Sequence, residues 1–180
     1  RKEGLVVTAD QYPYTASSTS LRATVVPPRY REGTPQDFLK RLDDPKIGPQ
    51  LRADVVRLLG GWEGARRLQI AHFAARPQWN GKTIAAIAEA EKREPLDIVL
   101  EIERRGGAQI VHFGMNEEDV RVYMRQPWVA TASDGGVQNP GPTVPHPRSY
   151  GTFPRKIGYY AIQEKLLPVP AAIRSATGLP

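Results

Sequence analysis

Hydrophobic and polar positions along the chain follow two periods in turn. Residues 5–14 (LVVTADQYPY) are rich in β-branched and aromatic side chains and predict a strand. On a two-residue period Asp10, Tyr12 and Tyr14 share one face, and Val7 and Ala9 point the other way. Pro13 cannot donate to a ladder, so that strand ends there or lies at an edge. TASSTS, which follows, reads as a loop. Residues 21–62 then change texture. VVPPRY precedes a helix after Thr34-Pro35, a cap and first-turn pair, and a second helix over 49–59 stops at Gly60-Gly61. Two short helices between turn signals predict an inserted subdomain or lid.

From residue 67 the alternation becomes regular. LQIAHF and AQIVHF predict strands, TIAAIAEAE (83–91) and PLDIVLEIERRGG (from Pro95) predict helices, and Asn116 caps NEEDVRVYMRQ. Glu117, Glu118 and Asp119 fill the first turn of that helix, where its dipole favours anions. WVATAS predicts a strand that ends at Asp134, and helices are expected over 154–165 and 170–176. Strand–helix–strand alternation argues for an α/β fold with parallel strands.

Composition narrows the function classes. A chain of 180 residues with 40% hydrophobic and 24% charged content suits a soluble globular domain. Its apolar runs fall well short of the ~20 residues that a membrane span needs, and no basic-then-apolar leader opens the chain. The first residue is Arg1, so targeting is left open; a cytoplasmic location is the default expectation. The absence of cysteine excludes disulfides and thiolate metal sites within these residues. A net charge of +6 raises nucleic acid as a partner. The basic residues alternate with acids, however (KRLDD, EAEKRE, EIERR), as on solvated helix faces, and no nucleic-acid motif is present.

Candidate chemistry gathers in residues 128–158. Reactive groups of parallel α/β folds collect at the C-terminal ends of strands. Asp134 occupies such a place, followed by Gly135-Gly136, which let the backbone turn sharply. A carboxylate there suits proton abstraction from water or metal binding; a turn cap fits the same residue. Arg148, after Pro147 in a Pro/Gly-rich loop, suits a bidentate grip on a carboxylate or a salt bridge that fastens the loop. Met115 fits an apolar pocket or a core, and Tyr12 and Tyr14 offer hydroxyls or simply pack. His72, His112 and His146 form no H-x-H or H-x-x-x-H pair, so structural histidines stand beside metal ligands as their reading.

The strings TADQYPYTASSTSL, GKTIAAIAEA, GMNEEDVRVYMRQPWVATASDGG, HPRSYGTFPRKIG and IRSATGLP together resemble the N-acyl-D-amino-acid deacylases (D-aminoacylases) of the amidohydrolase superfamily. They run in order over nearly the whole chain, and the pairing of SDG with HPRSYGTFPR is the most specific of them. The resemblance implies part of a (β/α)8 barrel, its last strands and helices, with a mainly helical insertion near the mouth of the site. It implies a zinc-dependent hydrolase that releases a D-amino acid and a carboxylate from a small-molecule N-acyl-D-amino acid. In that scheme Asp134 is the general base and then the acid, and is a possible metal contact. Arg148 holds the substrate carboxylate, Met115 lines a pocket, and Tyr12, Tyr14 and Ser20 stand near bound substrate.

The family's H-x-H pair, cysteine ligand and further histidine ligands have no counterpart here. The resemblance therefore implies a C-terminal section: a barrel strand and loop over 1–20, the insertion over 21–66 and further barrel units over 67–180. Such a section is expected to bind zinc poorly, to hydrolyse no amide by itself and to self-associate through exposed edges. A non-catalytic folded module and a related amidohydrolase acting on cyclic amides are the alternatives; Arg148 favours a substrate with a free carboxylate.

Overall fold

The computed structural model describes residues 4–137, 139 and 141–180. In chain order the elements are β1 (Ala9–Gln11), β2 (Ser17–Ser20), α1 (Leu21–Val25), α2 (Pro35–Asp43), α3 (Gly48–Leu59) and α4 (Gly61–Arg66). These lead to β3 (Leu68–His72), α5 (Ile84–Glu91), α6 (Pro95–Arg104), β4 (Gln109–His112), α7 (Glu117–Met124) and β5 (Val129–Thr131). The chain closes with α8 (Arg148–Pro154), a π-helical segment (Arg155–Gln163) and α9 (Val169–Thr177).

Local side-chain chemistry starts several helices. Thr34 and Asp37 form a reciprocal capping box at α2, Thr83 Oγ1 accepts the Ala86 N–H at α5, and Asn116 Oδ1 accepts the Glu118 N–H at α7. Gly60, in the left-handed region at φ 71°, ends α3, a conformation glycine adopts without steric cost.

The chain divides into two compact units. The first holds the described residues of Arg1–Ser17, Gly114–Asn139 and His146–Pro180; the second holds those of Ser18–Phe113 and Pro140–Pro145. In the second unit, Leu21, Phe38, Leu51, Val55, Ile70, Ile84, Ile98 and Ile110 belong to one buried cluster. Burial of each such side chain contributes roughly 1.5–3 kcal/mol. The first unit has its own cluster, in which Val120 and Met124 of α7 meet Tyr160, Leu167 and Ala172. No helix among the described residues is long and apolar enough to cross a membrane.

A mixed α/β composition is observed, but not all strands run parallel. β1 and β5 pair in parallel, with Ala9 opposite Val129 and Gln11 opposite Thr131. The other sheet has the order β2-β4-β3, and β3 and β4 are antiparallel, with an irregularity between Ile70 and His72. The strand expected over 5–14 shortens to three residues: Leu5, Val6 and Val7 are exposed, and Pro13 interrupts the far end. Ser17–Ser20, expected as loop, is a strand; its hydroxyl-bearing residues gave no apolar alternation to signal one.

Candidate active site

The first unit assembles the candidate chemistry around the exit of β5. Val129, Ala130 and Thr131 are all buried. The ladder closes where the Ala132 N–H donates to the Gln11 carbonyl at 3.2 Å. The chain then leaves the sheet, and Asp134 takes a left-handed backbone conformation, φ 48°. Aspartate tolerates that region better than most residues. The turn is thus made at Asp134 itself. Gly135 serves a different purpose, because a Cβ there would lie 2.7 Å from Ser149 Cα and 3.0 Å from Ser149 N. Only glycine lets this backbone press against the first turn of α8.

That turn carries Arg148, which is the first residue of a helix rather than part of a loop. Pro147 sits just before it at φ −63°, where a missing N–H costs nothing. Thr152 Oγ1 donates back to the Arg148 carbonyl at 3.0 Å. The helix expected to begin at Pro154 therefore begins six residues earlier. Pro154 lies inside it, and the backbone continues as π-helix from Arg155. A proline's lost hydrogen bond commonly accompanies such a change of winding.

Arg148 Nη2 stands 3.0 Å from Asp134 Oδ2. The guanidinium also lies 5.1 Å from the centre of the Tyr12 ring, within cation–π range. His146 fixes this corner. Its Nδ1 accepts the Arg148 backbone N–H at 3.0 Å, so its Nε2 carries the proton and donates to the Ala16 carbonyl at 2.9 Å. Burial lowers the imidazole's proton affinity, the Ala16 carbonyl partly restores it, and the Arg148 charge lowers it again. With both nitrogens engaged, His146 is a structural histidine. The Tyr14 ring meets it edge-on at 5.1 Å, and the Tyr14 hydroxyl donates to the Pro147 carbonyl at 3.4 Å. Arg155 holds the same segment after β1, donating to the Pro13 carbonyl at 2.8 Å with its guanidinium 5.3 Å from the Tyr14 ring centre.

A cavity of about 500 Å³ opens beside these groups, lined by Asp10, Gln11, Tyr12, Met115, Ala132 and Asp134. The Tyr12 hydroxyl lies 4.0 Å from Met115 Sδ. Asp134, Arg148, Tyr12, Tyr14 and Met115 thus share one unit, with Tyr14 supporting the corner behind the cavity. Ser20 belongs to the second unit, where its Oγ caps α1 by accepting the Ala23 N–H. Asp10 and Gln11 line the cavity without having been singled out from sequence, although Asp10 shares the predicted strand face with Tyr12. Lys156 and Arg155 also escaped notice, because an Arg-Lys pair ordinarily signals an exposed surface.

Among the described residues no group of three or more His, Asp or Glu side chains is arranged to hold a metal ion. His72 is exposed in the second unit, and burial followed by the Arg67 charge lowers the proton affinity of His112 there. The donors present do not by themselves make a zinc site. A water held in the cavity would face one exposed carboxylate just beyond β5, Asp134, and another on β1, Asp10. Such a carboxylate can accept a proton, and the Arg148 cation can receive an anion.

No protein-family model matches the chain. It is 33% identical over 103 residues to D-aminoacylase of Alcaligenes xylosoxydans xylosoxydans, covering 57% of this chain and 20% of that protein. It is 28% identical over all 180 residues to N-acyl-D-glutamate deacylase of the same organism, covering 28% of that protein. Among solved structures, N-acyl-D-glutamate deacylase from Bordetella bronchiseptica, complexed with zinc and a phosphonate mimic of the tetrahedral intermediate, superimposes with a TM-score of 0.66. That match has 23% identity and covers 99% of this chain and 29% of the other. A D-aminoacylase described as defining a novel subset of amidohydrolases gives a TM-score of 0.63 at 26% identity, with the same coverage. The chain therefore spans between a fifth and under a third of these relatives' length. In sequence and in fold, the chain is similar to one part of D-aminoacylase and of N-acyl-D-glutamate deacylase.

Proposed function

We propose that this chain is part of an amidohydrolase that cleaves N-acyl-D-amino acids to the D-amino acid and a carboxylate. The observation that carries the reading is the pairing of Arg148 with Asp134, which lines the cavity. It sets a proton acceptor beside a cation suited to a substrate's α-carboxylate. In this reading Asp134 takes a proton from the attacking water as its oxygen bonds to the amide carbonyl carbon. It returns that proton to the nitrogen as the C–N bond breaks. Arg148 grips the free carboxylate and so selects linear N-acyl amino acids over cyclic amides. Tyr12 and Met115 border the space for the rest of the substrate.

The zinc complex of N-acyl-D-glutamate deacylase and the binuclear metal center of a D-aminoacylase support a metal for the whole protein, with ligands outside this chain. The same reading takes the strands as late strands of a (β/α)8 barrel and residues 21–66 as a mainly helical insertion. It also takes the 180 residues alone as inactive and prone to self-association. The test is hydrolysis of N-acetyl-D-amino acids by the full-length protein with zinc, beside the isolated chain and the L-enantiomers. D-selective release by the full-length protein alone is expected. No hydrolysis by the zinc-loaded full-length protein, or substantial hydrolysis by the isolated 180 residues, would overturn the reading.

A further inference from the structure

Three side chains behind β5 form one directed run of hydrogen bonds. Ser175 Oγ donates to the Ala172 carbonyl at 2.7 Å, so it receives the Thr131 hydroxyl proton across 2.9 Å. Thr131, already donating, accepts from Lys156 Nζ at 2.7 Å. All three residues are buried, Lys156 to 3% exposure. Thr131 is also the last residue of β5, next to the final ladder bond from Ala132 to Gln11. The run therefore ties the π-helical segment, the end of the strand and α9 together, three residues before Asp134.

A lysine that merely filled this space would be a poor choice. An ammonium withdrawn from water without an anionic partner is costly. Lys156 forms no ion pair among the described residues, and burial lowers its pKa from 10.5 to about 8. Charged or neutral, the amine still donates to Thr131, so the run survives either state.

We propose that Lys156 is a positioning residue for Asp134: through Thr131 and Ser175 it fixes the end of β5 against α9 and so sets where the carboxylate stands. This rests on the deacylase reading for its catalytic consequence, though not for its structural one.

The test is a cycle of Lys156→Met, Thr131→Val and their double variant in the full-length protein, with Ser175→Ala as a milder break that leaves the amine in place. Two readouts are taken, amide hydrogen exchange over residues 133–135 and the separate values of kcat and KM. Exchange over 133–135 should quicken ~10-fold in each single variant and no further in the double, while α2 and α3 keep their protection. The same variants should lower kcat ~10-fold with KM unchanged, again without adding in the double. Ser175→Ala should move both readouts in the same direction. Unchanged exchange, or single effects that multiply in the double variant, would overturn the proposal; so would quickened exchange with an unaltered kcat. A wild-type protein that hydrolyses no N-acyl-D-amino acid would instead sink the deacylase reading, and the exchange cycle would still decide the structural tie.

Discussion

Arg148 and Asp134 form an ion pair at 3.0 Å in which the arginine is 11% exposed and the aspartate 70% exposed. The asymmetry matters. The guanidinium is held by helix α8 and the Tyr12 ring, whereas the carboxylate remains in contact with water. A substrate carboxylate could thus take over the cation without Asp134 having to be pulled from a buried pocket.

Replacing Arg148 with Met should raise KM for N-acetyl-D-amino acids at least ~10-fold, about 1.4 kcal/mol of lost binding. Substrates whose carboxylate is masked as an amide should be unaffected. Steady-state kinetics on the full-length protein check this, and identical losses for both substrate types would remove Arg148 from the binding role.

Gly135→Ala should destabilise the first unit by ~1–3 kcal/mol, because the atoms its Cβ would strike belong to the Ser149 backbone and cannot swing aside. Gly151→Ala meets the Tyr14 hydroxyl at 2.5 Å, the far end of a side chain, and should cost less. Urea unfolding of the two variants in parallel tests the order.

His146 makes stability depend on pH on the acid side. Its folded pKa lies below the unfolded value of about 6.5. The unfolded chain therefore binds more protons as pH falls below about 6.5, and stability is lost from there downward. His146→Phe should flatten that limb and also lose ~2 kcal/mol at about pH 7.5, since it strands the Ala16 carbonyl and the Arg148 N–H. Denaturant midpoints from about pH 5 to about pH 7.5 provide the measurement.

Lys156 works in the opposite range. Its pKa is about 8 when folded against an ordinary 10.5, so between these values the unfolded chain holds the extra proton and stability rises with pH. The difference between wild type and Lys156→Met should therefore shift in favour of wild type from about pH 8 to about pH 10. A constant difference across that range would show that the buried amine does not titrate there.

Parts of this architecture were legible wherever the chemistry is local. Thr34-Pro35, Thr83 and Asn116 start helices through hydrogen bonds within three residues, so their positions could be read directly. Arg148 was misplaced in a loop because Pro145, Pro147, Gly151 and Pro154 all signal turns. What makes the helix is distant: His146 is anchored to Ala16, and Gly135 admits Ser149. The antiparallel pairing of β3 with β4 depends on strand direction, which periodicity does not encode. The five first-unit site residues came from motif resemblance more than from pattern, and Asp10 was missed because an exposed acid on a short strand looks like any other.

The most direct test of the central claim is Asp134→Asn in the zinc-loaded full-length protein, assayed on N-acetyl-D-amino acids. This variant should lower kcat by ~10²–10⁴-fold with little change in KM. A variant that keeps kcat within ~2-fold of wild type would contradict that claim.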